Sequence, residues 1–153
     1  MPRLDRSFIN ALVVMILTAG CSGKRPESFG FHNPGLADCP ETPNCVSTEA
    51  EKKSQKIEPF RLKGDPKVIW PKVIEIANSI PRATIVETTH NYVHLEYRSL
   101  IFRFVDDLEM LLDPVDGSIS IRSAARLGKS DFGVNRKRVE LLRRMMKDKD
   151  LIE

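Results

Sequence analysis

The period at which apolar residues recur changes along the chain, and each change marks an element. Behind Asp65, a good N-cap, and Pro66, which suits a first helical position, Ile69, Val73, Ile76, Ala77 and Ile80 form a stripe at helical spacing. A helix running to about Ser79 is predicted. Pro71 lies one turn inside it and removes a backbone donor, which predicts a kink or a later true start. Trp70 reads as a core anchor rather than a binding platform. Period two then takes over in segments 84–89 and 92–98, which flank His90 and Asn91. Pairing Val86 with Leu95 puts Thr84, Val86, Thr88, Val93, Leu95 and Tyr97 on one face, and Glu87, His94, Glu96 and Arg98 on the other. From 102 onward the even positions Phe102, Phe104, Asp106, Leu108, Met110 and Leu112 form an apolar row that Asp106 interrupts. Arg103, Asp107 and Glu109 take odd positions. After a turn at 114–117, Ile119 and Ile121 return as a strand with Ser120 and Arg122 on its other face. Matching the inner faces of the last two strands places Arg122 opposite Asp107 or Glu109.

A final helical stripe of Val139, Leu142 and Met146, with Leu141 and Met145 beside it, predicts a helix over 134–147. Its outer face carries Arg136, Lys137, Arg138, Arg143, Arg144 and Lys147. That face reads first as solvated, with cations toward the C-terminal end; the sharper alternative is contact with anionic headgroups. The fold class that follows is α+β: an antiparallel sheet of about four strands with an N-terminal helix and a C-terminal helix packed on one face.

The leading residues belong to a different regime. Arg3 and Arg6 precede an apolar run over 8–17, and Thr18, Ala19 and Gly20 precede Cys21. A charged start, a short apolar centre and small residues are the parts of an export signal, here 1–20, too short to span a membrane as a stable helix. The ending resembles a bacterial lipoprotein signal, in which the cysteine after the cut is lipidated. Thr18 stands where such signals prefer leucine, so lipidation of Cys21 is expected, with plain secretion as the alternative. Segment 21–56, rich in Pro, Gly, Ser and Lys, reads as a tether and an irregular arm, and 57–153 as one α+β domain.

Composition narrows the function. The 153 residues, 41% hydrophobic, have room for one modest core. Twenty-four basic against 21 acidic residues give a formal charge of +3, a mixed surface that does not indicate nucleic acid. Of the cysteines, Cys21 is assigned by the signal, leaving Cys39 and Cys45 to close a short disulfide loop. A metal there would need about four ligands, and only His32 lies nearby, so neither metal nor cofactor is expected.

Two groups of residues are candidates for chemistry. Asp106, Asp107 and Glu109 form a carboxylate cluster in sequence, but alternation sends Asp106 to one face and the other two to the opposite one. Structural ion pairs are the expectation, with Ser123, Arg126 or loop N–H groups over 126–133 as donors to Asp106. Arg122, Arg126, Asn135, Arg136 and Arg138 surround a loop bearing Gly128 and Gly133 and are candidates to bind a phosphate or carboxylate. The segment lacks the spacing of a phosphate loop, and Asp131 reads equally well as a helix cap. His94 beside Glu96 reads as a paired sheet-face histidine.

Three segments carry a resemblance: Pro-Asn-Cys-Val-Ser at 43–47, Phe-Val-Asp-Asp-Leu-Glu at 104–109, and Arg-Ser-Ala-Ala-Arg-Leu-Gly-Lys-Ser-Asp-Phe-Gly-Val-Asn-Arg-Lys-Arg at 122–138. They resemble the domain of unknown function 1499 of bacterial and plant proteins, over about 36–146. Lys129 replaces a frequent aromatic residue and Ala125 a frequent serine. The resemblance implies an exported or membrane-associated domain without an assigned activity, and carries over no catalytic residue. The expected protein is a non-enzymatic, periplasm-facing envelope lipoprotein, held at a membrane through Cys21. It would serve as a binding or accessory domain for an anionic small molecule or lipid headgroup. The alternative is a hydrolase on an anionic envelope substrate, with Asp106 or Asp107 as acid or base beside the arginine loop. A pocket joining the carboxylates to that loop would favour the enzyme, and a closed, paired network the binding domain.

Overall fold

The computed structural model describes residues 35–153; the signal 1–20, Cys21 and His32 lie outside the described residues. Among the described residues the fold is α+β, with two helices and a six-stranded antiparallel sheet. The strands are β1 (Cys45–Ser47), β2 (Phe60–Arg61), β3 (Ala83–Thr88), β4 (Tyr92–Arg98), β5 (Val105–Leu112) and β6 (Ser118–Ala125). The helices are α1 (Pro66–Ser79) and α2 (Val134–Asp148). About four strands was therefore an undercount. The short strands β1 and β2 come from segments without period-two alternation, and both pair with the outer edge of β6, which fixes their extended shape from outside. The sheet order is β1-β6-β5-β4-β3, with β2 beside β1 on β6.

Helix α1 starts where its caps put it: Asp65 accepts from the Lys67 N–H at 2.9 Å, and Pro66 takes the first position. It runs through Pro71 to Ser79 as one helix. Its Trp70, Val73, Ile76 and Ala77 and the Val139, Leu142 and Met146 of α2 are buried in one core. The sheet side of that core is Val93 and Leu95, Leu108 and Met110, and Ile119 and Ile121, so both helices cover the same face.

Two details differ from the alternation pattern. Ile85, not Val86, pairs with Leu95, and a bulge between Ile85 and Glu87 restores the register to His94. An edge strand tolerates the extra residue, and its twist blunts the free edge. The apolar row of β5 also stops short of Phe102 and Phe104. Ser99 closes the β4–β5 hairpin, its N–H donating to the Phe104 carbonyl and its Oγ accepting from the Phe104 N–H, both at 2.8 Å. The two rings stack outside with centroids 5.5 Å apart.

Candidate functional site

Alternation along β4, β5 and β6 turns Tyr92, His94 and Glu96, Asp107 and Glu109, and Arg122 to the face away from the helices. All six are buried there. Register sets the chemistry. Glu96 pairs with Asp107, and Glu109 lies between His94 and Arg122, so carboxylates of adjacent strands stand side by side. Like charges in that position are unfavourable unless cations are placed between them.

Arg126, just past β6, meets that need. Its Nε and Nη2 donate to the two oxygens of Asp107 at 2.8 and 2.7 Å, and Nη2 also donates to Glu96 at 2.5 Å. Arg98 Nη2 donates to the other Glu96 oxygen at 3.1 Å. His94 Nε2 lies 2.7 Å from Asp107 Oδ1. One strand pair further, Glu109 accepts from Tyr92 OH at 2.8 Å and from Arg122 Nη1 at 2.9 Å. Burial raises the Asp107 pKa, but the hydrogen bonds from His94 and Arg126 outweigh it and hold the carboxyl below its ordinary range. Glu96 is likewise lowered, burial being overcome by Arg126. Burial, with Glu109 alongside, pushes the Tyr92 hydroxyl up, so it serves as a neutral donor.

Asp106 faces the helices instead. Its donor is Arg138, whose Nη2 lies 2.7 Å from Oδ2; Ser123, Arg126 and the loop N–H groups do not supply it. Arg138 also lies 4.6 Å over the Tyr97 ring and donates to Asn135 Oδ1 at 2.7 Å. Asn135 receives Ser123 Oγ–H at 2.6 Å and donates from Nδ2 to the Asn44 carbonyl at 3.2 Å. Asp131 caps α2, accepting from the Gly133 and Asn135 N–H groups at 2.9 and 2.8 Å, and Gly133 enters the helix at φ 76°, which suits glycine.

The candidate anion-binding residues are therefore not brought to one point. Arg122 and Arg126 lie on the polar face, Asn135 and Arg138 on the helix face, and Arg136 donates to the Ser54 and Lys56 carbonyls at 2.8 and 3.1 Å. The carboxylates divide in the same way, Asp106 from Asp107 and Glu109. The outer face of α2 is less cationic than its composition suggests. Arg138 turns inward, and Arg143 lies over Phe60 while donating to the Glu58 and Pro59 carbonyls. Arg138 had a signal that was missed: the spacing Asn135, Arg138, Leu142, Met146 puts it on the buried stripe. Glu96 was legible on its face but not as a partner of Arg126, and Tyr92 was placed on neither face. Asn44 carried no local signal; its Nδ2 donates to the Ala125 and Gly128 carbonyls at 3.3 and 2.8 Å.

Cys39 and Cys45 are bonded, with Cα atoms 5.6 Å apart, and fix the arm beside β6. Between this arm and β6 is a cavity of about 530 Å³, lined by Asp38, Cys39, Thr42, Asn44, Arg122 and Arg126 among others. It reaches both arginines, but Asp106, Asp107 and Glu109 are not among its lining residues. Among the described residues, no group of three or more His, Cys, Asp and Glu is placed to hold a metal, and no helix is long and apolar enough to cross a membrane.

The architecture and the site define a class: an α+β fold whose antiparallel sheet has helices on one face and a buried array of ion pairs on the other. The chain belongs to the family described as Protein of unknown function (DUF1499), whose model matches residues 35–146, from the disulfide arm to the last buried turn of α2. No curated protein and no solved structure matches the chain.

Proposed function

We propose that the protein is an exported, lipid-anchored envelope domain with a binding or accessory role rather than a catalytic one. The observation that carries the non-enzymatic reading is the separation of cavity from carboxylates. The cavity beside the disulfide arm touches Arg122 and Arg126, while the candidate acids are buried against their own cations. A general acid or base must reach its substrate proton, and neither candidate lines the cavity; Asp107, held low by His94 and Arg126, is besides a poor base near neutral pH. Arginine side chains at a cavity wall suit a carboxylate or phosphate ligand. Export and anchoring are supported by the signal ahead of Cys21 and by the Cys39–Cys45 bond, which belongs to an oxidising compartment.

Labelling cells with palmitate tests the anchor. Wild type should carry the label and partition with membranes, and Cys21→Ala should lose both; an unlabelled wild type overturns it. Whether the candidate carboxylates are buried counter-charges or acids is tested by thermal melting of Asp106→Ala, on the helix face, and Asp107→Ala, on the polar face. Truncating residues of a ligand site is often neutral or stabilising, whereas breaking a structural network lowers the melting temperature sharply. Both variants should melt well below wild type. Variants that hold or gain stability would return the carboxylates to the enzyme reading.

A further inference from the structure

The end of the sheet where β4 and β6 finish and β5 begins is unlike the rest of the surface. Two loops leave it side by side, the 99–104 hairpin and the 126–133 loop, joined where the Arg126 N–H donates to the Val105 carbonyl at 3.1 Å. On these loops Leu100, Ile101, Phe102 and Phe132 are 73, 78, 66 and 88% exposed. The hairpin is held in this form by the paired Ser99–Phe104 bonds, so its apolar side chains are presented rather than folded back. Apolar exposure concentrated on two adjoining loops marks an interaction surface. The exposed charged side chains around it are cations. Arg82, Arg103 and Lys129 are exposed at this end, while the nearby Asp106 and Asp131 are committed to Arg138 and to the cap of α2.

Apolar and aromatic side chains projecting past a collar of cations match the boundary between acyl chains and anionic headgroups. We infer that this tip, through Leu100, Ile101, Phe102 and Phe132, inserts into an anionic lipid bilayer, with Arg82, Arg103 and Lys129 at the headgroups. The inference rests on the anchored reading for its membrane, and chain length permits it. The 14 residues from Cys21 to Gly35 (35 − 21) span at most about 50 Å extended, against roughly 27 Å for the eight residues of β5, so an anchored chain can bring this end down.

The test places a reporter at the tip of the full chain. Trp70 is the sole tryptophan and is buried, so it gives a constant background to Phe102→Trp. With vesicles of phosphatidylethanolamine and phosphatidylglycerol, the introduced indole should shift to the blue and be quenched by lipid brominated on its acyl chains. Adding Leu100→Ser and Ile101→Ser should lower vesicle partitioning at least about tenfold. Binding should weaken with salt and on phosphatidylcholine alone. If the protein sits on vesicles while the indole stays open to iodide and is not quenched, the inference fails and the anchor stands. If wild type takes up no palmitate and the introduced indole still inserts, the tip stands and the anchor fails. A blue shift without lipid that depends on protein concentration would instead make the tip a self-association surface and overturn the inference.

Discussion

Asp106 and Asp107 are neighbours in β5, yet burial raises the pKa of the first while the second is held below its ordinary range. Burial does not order them, because Asp107 is the less exposed side chain, at 0% against 15% for Asp106. Partners do. Asp107 has a guanidinium fork and an imidazole, whereas Asp106 has one arginine that also serves Asn135 and the Tyr97 ring. The helix face is an apolar core that admits one ion pair, and the other face is a polar array closed by its own counter-charges. Two strategies for burying a strand thus share one backbone, and they respond differently to damage.

The largest effect is expected where one cation serves two acids. Arg126→Met leaves Asp107 and Glu96 paired across β4 and β5 without their common donor, at a cost of about 3–5 kcal/mol in urea denaturation. A loss near zero would mean that the array is ornamental. Glu109→Gln should cost less, about 2 kcal/mol, because the amide oxygen still accepts from Tyr92 while the acceptor and the charge opposite Arg122 Nη1 are lost.

Acid separates the two faces by sign. The Asp107 pKa is lower folded than unfolded, so its contribution is present above the ordinary carboxyl value of about 3.9 and is lost as pH falls through the folded value. The Asp106 pKa is higher folded, so its contribution grows as pH falls through that raised value toward 3.9. Relative to wild type, Asp107→Asn should therefore flatten the decline in stability between pH 7 and about pH 3, and Asp106→Asn should steepen it. Urea midpoints at the two pH values check this, and changes of the same sign in both variants would dissolve the contrast.

How much of this could be read in the sequence follows the range of each signal. Strand alternation is local, and it placed Arg122 within one register step of its partner, which proved to be Glu109. It also divided Asp106 from Asp107 and Glu109 before any packing was known. The helix caps at Asp65 and Asp131 were equally local. What escaped was non-local or three-dimensional. Asn44 bonds carbonyls 81 and 84 residues away. The strands β1 and β2 exist only because β6 offers them an edge. Arg138 was assigned to the surface because it is charged, although its spacing put it on the buried stripe beside Leu142. Charge is a weak guide to exposure where a carboxylate waits at the right depth.

The smallest expected effect is also the sharpest probe of why Asp106 titrates high. Burial is the main cause; Arg138 opposes it, and the charges of Asp131 and of Asp107 across the sheet add to it. Asp131→Asn keeps one oxygen, which can still accept from the Asn135 N–H, while the Gly133 N–H, bound by the other oxygen, loses its acceptor, so α2 should lose about 1 kcal/mol. The same change removes a negative charge from the surroundings of Asp106 and leaves the polar face untouched. An NMR titration of the side-chain carboxyls should then show Asp106 moving down toward its ordinary value while Asp107 stays in place. Movement of both would mean that the sheet does not separate its two faces electrostatically, and that the depressed acid and the raised one belong to a single coupled set.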